Sequence, residues 1–265
     1  MDLRETQTGS VRHPWETTRF RFFKDVLRDS GCLACCRRVL DMGAGDAWFA
    51  EQLLKRLPED ATIDCVDAGY DGNEVVSERL RKCPSRPDGR YDLILLLDVL
   101  EHVEHDTEFL TDLVTHALAP TGRLLMSVPS WQGLYTSHDT FLQHHRRYAP
   151  GAAKAVLHDA GLQIEQSGGL FHSLLAPRAV SKAREQLFGA PANSRSELTW
   201  SHGSALTAVV KSALTVDNLA SRWLARRGHD VPGLTWWALG GPLMLGYFTF
   251  LFRVFRGKVT VSETH

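Results

Sequence analysis

Three short apolar runs stand out in the first hundred positions: Val39-Leu40-Asp41-Met42, Ala61 to Asp67, and Tyr91 to Leu97, the last almost wholly apolar. Runs of this length without polar alternation predict strands buried on both faces, as in a parallel sheet. After Gly43-Ala44-Gly45-Asp46 the apolar positions resume with helical spacing from Trp48 to Leu57 and stop before Pro58. A second helix is predicted from Thr107 to Leu118, closed by a turn at Ala119-Pro120-Thr121-Gly122, with a strand from Arg123 to Val128 after it. Ala152 to Ala160 reads as helix with Gly161 as its C-cap, Leu162 to Glu165 as a strand, and Thr18 to Leu27 as an amphipathic helix ahead of the first strand. Alternation of this kind predicts an α/β fold: a doubly wound, Rossmann-like sheet, mostly parallel, with ligands at the carboxyl ends of its strands.

The pattern changes after residue 176. Ala179 to Phe188 and Ala205 to Arg227 are helix-prone and separated by the polar run Pro191 to Glu197, which predicts a helical insertion over 177–231. Leu234 to Leu239 is aromatic and β-compatible, so a final antiparallel strand is expected over 232–240, followed by an apolar tail over 241–265. The uncharged stretch Val231 to Phe252 is long enough to span a bilayer, but Pro232, Gly233, Gly240, Gly241 and Pro242 interrupt it. Leu243 to Phe255, ending in Arg253, Arg256 and Lys258, suits an interfacial membrane segment, a homodimer contact or a buried helix.

Composition narrows the classes. At 265 residues and 43% hydrophobic the chain can bury one large core, and a formal charge of -1 gives no basic field for nucleic acid. Five cysteines without a paired framework, and no signal-like run near Met1, lead to the expectation of a reducing, cytoplasmic setting, with membrane association through residues 243–258 as one option. Cys32, Cys35 and Cys36 cluster without a second ligand pair, and Cys83 reads as a loop thiol.

Gly43 and Gly45 let the backbone bend sharply between strand and helix, and Asp67 ends the next strand where a carboxylate can accept both hydroxyls of a ribose. A dinucleotide enzyme places an acid there too, but Gly43-Ala44-Gly45-Asp46-Ala47 is not the G-x-G-x-x-G fingerprint. Val39 to Gly45 resembles motif I of the class I S-adenosylmethionine-dependent methyltransferases, and Asp98-Val99-Leu100-Glu101-His102-Val103 is similar to their quinone-biosynthesis branch, over about Arg12 to Gly168. The resemblance implies that Asp41, Gly43, Ala44 and Gly45 contact the amino-acid end of S-adenosylmethionine, that Asp67 with Ala68 holds the ribose, and that Asp98, Val99 and Leu100 line the methionine side. It also implies that the segment around Trp15 covers the cofactor. Ala47 stands where many relatives have a third glycine, at little cost if its φ is negative. Gly72 to Arg90 shows no clear third strand carrying an adenine-side acid, which leaves the adenine contacts unassigned.

On the acceptor side, Glu101 and His102 follow a strand end and suit proton removal, or else serve as a helix-start carboxylate and a packed histidine. In some quinone-pathway relatives an acid-x-x-Glu-His group binds a divalent cation; Asp98, Glu101 and His102 match it, although an Asp98 turned toward the cofactor is the favoured alternative. His138, His144, Arg147 and Tyr148 follow the fourth predicted strand and suit an anionic acceptor, against ordinary loop charges; Trp15 is a further contact candidate, against a simple anchor. The expected activity is methyl transfer to a small-molecule or lipid-linked acceptor. The competing readings are a nicotinamide-dependent oxidoreductase and a non-catalytic adenosyl-binding or scaffold protein.

Overall fold

In a computed structural model, residues 12–189 and 203–227 are described. The sheet contains β1 (Arg38–Met42), β2 (Thr62–Val66), β3 (Glu74–Ser77), β4 (Leu80–Cys83), β5 (Tyr91–Leu97) and β6 (Leu118–Ser127), in the order β3-β4-β2-β1-β5-β6. All neighbours pair parallel except β3 with β4. The helices are α1 (Pro14–Asp29), α2 (Cys32–Cys35), α3 (Trp48–Leu54), α4 (Asp106–Ala117), α5 (Ser137–Phe141), α6 (Pro150–Asp159), α7 (Leu175–Phe188) and α8 (Ser204–Arg226).

The continuous apolar run of β5 is explained by burial on both faces. Leu93, Leu95 and Leu97 point into a core with Phe23 and Leu27 of α1 and Ala50 and Leu53 of α3. Ile94 and Leu96 point the other way, onto Leu110 and Leu113 of α4. Strand order reverses between β1 and β5, so the crevice at their carboxyl ends is the natural ligand position.

Several expectations are corrected. The stretch Gly72 to Arg90 does form strands, the β3–β4 hairpin at one edge of the sheet, and Cys83 is buried in β4 rather than in a loop. Both strands are short and rich in polar residues, and β4 is registered by Arg81 pairing with the buried Asp64 of β2. The turn expected at Ala119 to Gly122 lies inside β6 as an irregularity, since Tyr91 pairs with Leu118 but Leu93 with Arg123. Leu162 to Glu165 is irregular, with Leu162 packed on the α4 side of the core. The antiparallel strand expected at 232–240, the polar run Pro191 to Glu197 and the tail at 241–265 fall outside the described residues.

Helix α8 docks on α1, where Arg222 Nη1 lies 2.9 Å from Asp25 and a second nitrogen pairs with Asp29. Its buried Asp217 and Asn218 accept from the backbone of Ser173 (2.9 Å) and Phe171 (3.1 Å), so polar side chains of α8 fix the segment that leads into α7. No described helix is long and apolar enough to cross a membrane.

Candidate active site

Gly43 (φ +68°) and Gly45 (φ +56°) both take the left-handed conformation after β1. The bend is tied to the end of β2: Gly43 N–H and Ala44 N–H donate to Val66 O at 2.7 and 3.1 Å. Asp67, the next residue, accepts from Gly45 N–H through Oδ2 and from Gly69 N–H through Oδ1, each at 2.9 Å. The carboxylate therefore faces the glycine turn. A Cβ on Gly43 would come within 2.4 Å of Val99 Cγ2, so the missing side chain admits the Asp98 segment as well as any ligand.

Ala47, the N-cap of α3, has φ +68° and is fully buried, which overturns the expectation of a negative φ. An alanine there carries about 1–2 kcal/mol of left-handed strain that a glycine would not.

Beside the turn lies a cleft whose wall includes Glu16, Arg19, Asp41, Asp46, Trp48 and Leu97. Arg19 was not singled out from the sequence. Its side chain, 8% exposed, reaches Asp98 Oδ2 at 2.8 Å and stacks over Trp15, with its guanidinium carbon 5.5 Å from the ring. An arginine four residues after a tryptophan, on the inward face of an amphipathic helix, is the signal that could have revealed it. Trp15 also meets Phe171 edge-on at 6.4 Å. Arg12 pairs with Asp46 and lies 5.0 Å from the Trp48 ring, bringing the N-terminal segment against the glycine turn. Glu16 is buried and pairs with the same arginine, Arg12 Nη1 lying 3.5 Å from its Oε2.

Asp41 is buried, and burial pushes its carboxyl up to about 7, with Asp67 adding to the rise and Arg19 opposing it. A raised folded-state pKa means that the native state binds more protons than the unfolded chain between about pH 4 and 7, so this contribution to stability is lost as pH rises through that window. Urea unfolding of wild type and Asp41→Asn at pH 5 and pH 8 should show the wild type losing about 2–3 kcal/mol relative to the variant. A difference that does not change with pH would remove this assignment.

Asp98, also left-handed (φ +58°), accepts from Ser127 Oγ at 2.8 Å besides pairing with Arg19. Val99 touches the turn, whereas the Leu100 side chain is buried in the α4-side core. Ala68 is exposed. Glu101 and His102 lie on a single 3-10 turn, Leu100–His102. The Glu101 carboxyl is 1% exposed, and burial, followed by the nearby Asp98, holds it well above the usual carboxylate range.

The structure brings His144 to Glu101 and His102: ligand atoms of all three lie within 4.8 Å of one another. Asp98 is not in this group. Arg147 and Tyr148 are turned to internal duties. Asp139, completely buried, accepts from Arg147 Nε (2.8 Å), His144 Nδ1 (3.0 Å) and Thr136 N–H (2.8 Å), and pairs with Arg178 of α7. Tyr148 is buried with its hydroxyl donating to Asp106 at 2.7 Å. His138 is half-buried, and desolvation, with Arg178 beside it, lowers its imidazole pKa.

Comparison with known proteins follows this geometry. The sequence pattern of the family described as "Methyltransferase domain" matches residues 12–167. The chain is 27% identical over 133 residues to a mitochondrial ubiquinone biosynthesis O-methyltransferase of Schizosaccharomyces pombe, covering 44% of this chain and 47% of that protein. It is 30% identical over 120 residues to a malonyl-[acyl-carrier protein] O-methyltransferase of Halalkalibacterium halodurans, covering 40% and 44%. The chain thus spans about half the length of the curated relatives it matches. Among solved structures, a SAM-dependent methyltransferase from Archaeoglobus fulgidus aligns with TM-score 0.44 and 19% identity, over 77% of this chain and 90% of that one. The N-methyltransferase NodS from Bradyrhizobium japonicum, in complex with S-adenosyl-L-homocysteine, aligns with TM-score 0.45 and 13% identity, over 64% and 89%. With a family match over more than half its length, this chain belongs to the class I S-adenosylmethionine-dependent methyltransferases.

Proposed function

We propose that this chain transfers a methyl group from S-adenosylmethionine to an oxygen of a small-molecule or lipid-linked acceptor. The observation that carries the reading is the 2.9 Å bond from Gly45 N–H to Asp67 Oδ2, which sets a ribose-binding carboxylate against the glycine turn. The charge of the cleft supports it. Glu16, Asp41 and Asp46 share the cleft with Arg19 and with Arg12, which pairs with Glu16 and Asp46, so the ammonium and the one carboxylate of the ligand each find an opposite charge. The pyrophosphate of a nicotinamide dinucleotide would meet those three carboxylates and no helix N-terminus framed by G-x-G-x-x-G. Arg19, a planar fork at the cleft wall, is the group suited to the methionyl carboxylate.

When bound, the cofactor supplies an electrophilic methyl carbon. The protein's part is to align the acceptor and take its proton. Glu101 and His102 sit at the carboxyl end of β5 for that task. Both curated relatives are named O-methyltransferases, which favours oxygen as the methylated atom.

Calorimetry with S-adenosylmethionine, S-adenosylhomocysteine and NAD tests the reading. The first two should bind and NAD should not. Asp67→Ala should weaken S-adenosylhomocysteine about 100-fold, the scale of two hydrogen bonds to a charged acceptor. Equal affinity for NAD, or an unchanged constant in a folded Asp67→Ala protein, would overturn it.

A further inference from the structure

Helix α7 carries Arg178, Lys182 and Glu185 at i, i+4 and i+7, on one face, turned toward α5 and the loop before it. The two outer residues clamp it there. Arg178 pairs with the buried Asp139, and Glu185 accepts from Ser137 N–H through both oxygens, at 2.9 and 3.3 Å. Between the two segments lies a cavity of about 500 Å³, walled by Tyr135, Ser137, Thr140, Phe141, Lys182 and Glu185. Small-molecule pockets ordinarily have roughly 300–1,000 Å³. Among the described residues, the Lys182 ammonium and the hydroxyls of Ser137 and Thr140 take part in no hydrogen bond or ion pair, so the wall holds polar groups that the fold leaves unused. Two aromatic rings border them. Tyr135 sends its hydroxyl inward to His144 O at 2.7 Å, which leaves its ring as its contribution to the wall, and Phe141 is 39% exposed.

This wall selects against a simple ion. It carries one cation and one carboxylate, and the amides of Thr136 and Ser137, which would otherwise cradle an oxyanion, are already bonded to Asp139 and Glu185. An anion would meet Glu185, and an isolated cation would meet Lys182. A neutral ligand rich in hydroxyls meets both favourably: it accepts from the ammonium, donates to the carboxylate, and exchanges either kind of bond with Ser137 and Thr140. A sugar ring adds a face of C–H groups, whose slight positive charge is drawn to the negative face of an aromatic ring.

We propose that this cavity binds a sugar ring, its hydroxyls held by Lys182 and Glu185 and its C–H face packed on Tyr135 and Phe141. No residue lines both this cavity and the cofactor cleft. The family match ends at residue 167, so the two charged residues of the cavity come from outside the region shared with other methyltransferases. The site gives the protein a recognition point for a sugar-bearing molecule on the loop that also holds His144.

Saturation-transfer NMR on the full-length protein without cofactor tests the site, and failure there leaves the methyl-transfer reading standing. The probes are methyl glucoside, methyl galactoside and methyl mannoside, with cyclohexanol, benzoate and benzylamine as controls. At least one pyranoside should bind at millimolar concentration, with saturation strongest on the C–H protons of one ring face. Lys182→Met should weaken it about tenfold or more, the scale of a hydrogen bond to a charged group, and Phe141→Ala about threefold or more through the lost ring contact. Neither side chain is part of the buried core, so circular dichroism should show both variants folded. Binding of no pyranoside, an unchanged affinity in Lys182→Met, cyclohexanol bound as tightly as the pyranosides, or a preference for benzoate or benzylamine would each overturn the proposal.

Discussion

Replacing Asp139 by alanine is expected to lower unfolding stability by about 3–5 kcal/mol, the scale seen when one partner of a buried ion pair is removed. Asp139 is the hub of the loop after β6. Its carboxylate closes the capping box of α5 by accepting from Thr136 N–H, holds His144 and Arg147, and pairs with Arg178 from α7. Burial works against its ionised form, yet the bonds from His144, Arg147 and Thr136 outweigh it and hold the carboxyl far below the usual range. For a depressed pKa the stabilisation is complete above the unfolded value, near 4, and lost only as pH falls through the folded one. Asp139's own titration therefore contributes no pH dependence between 5 and 8. Chemical denaturation at pH 7 measures the loss, and Asp139→Asn, which keeps the cap acceptor but not the charge, should recover part of it. A loss under 1 kcal/mol in the alanine variant would show that Arg147 and Arg178 find solvent instead, and that the loop is not organised around this carboxylate.

Much of this architecture was legible because buried parallel strands write themselves as apolar runs. β1, β2 and β5 were found that way, and the glycine turn facing Asp67 followed from where two of those strands end. The β3–β4 hairpin left no such trace: β3 is exposed throughout, and β4 carries two charged residues in four, held in register by Arg81 on Asp64. Leu162 to Glu165 failed for the opposite reason, since Leu162 packs on the core but pairs with no strand among the described residues. Pairings between distant segments were also hidden. Nothing near residue 102 announces that His144 will arrive beside it, and the basic run 144–148, which reads as anion-seeking in isolation, meets the internal anions Asp139 and Asp106. Charge in a loop was readable; the identity of its partner was not.

Gly43→Ala should destabilise the protein by about 2–5 kcal/mol, combining about 1–2 for a left-handed alanine with about 1–3 for overpacking. The second term has a specific source, because the new methyl carbon would fall 2.4 Å from Val99 Cγ2 at a φ of +68°. Relief must then come from Val99 or from movement of the turn. If the turn moves, Gly43 and Ala44 lose their bonds to Val66 O and Gly45 N–H is carried away from Asp67, so S-adenosylhomocysteine affinity should fall at least tenfold. Shortening the neighbour separates the two costs. In the double variant Gly43→Ala/Val99→Ala the overlap disappears while the backbone strain stays, and the cycle should show a coupling of about 1–3 kcal/mol in favour of the pair. Additive losses would mean that Val99 yields freely. The close fit between the glycine turn and the Asp98 segment would then be incidental to the cofactor cleft rather than what sets its width.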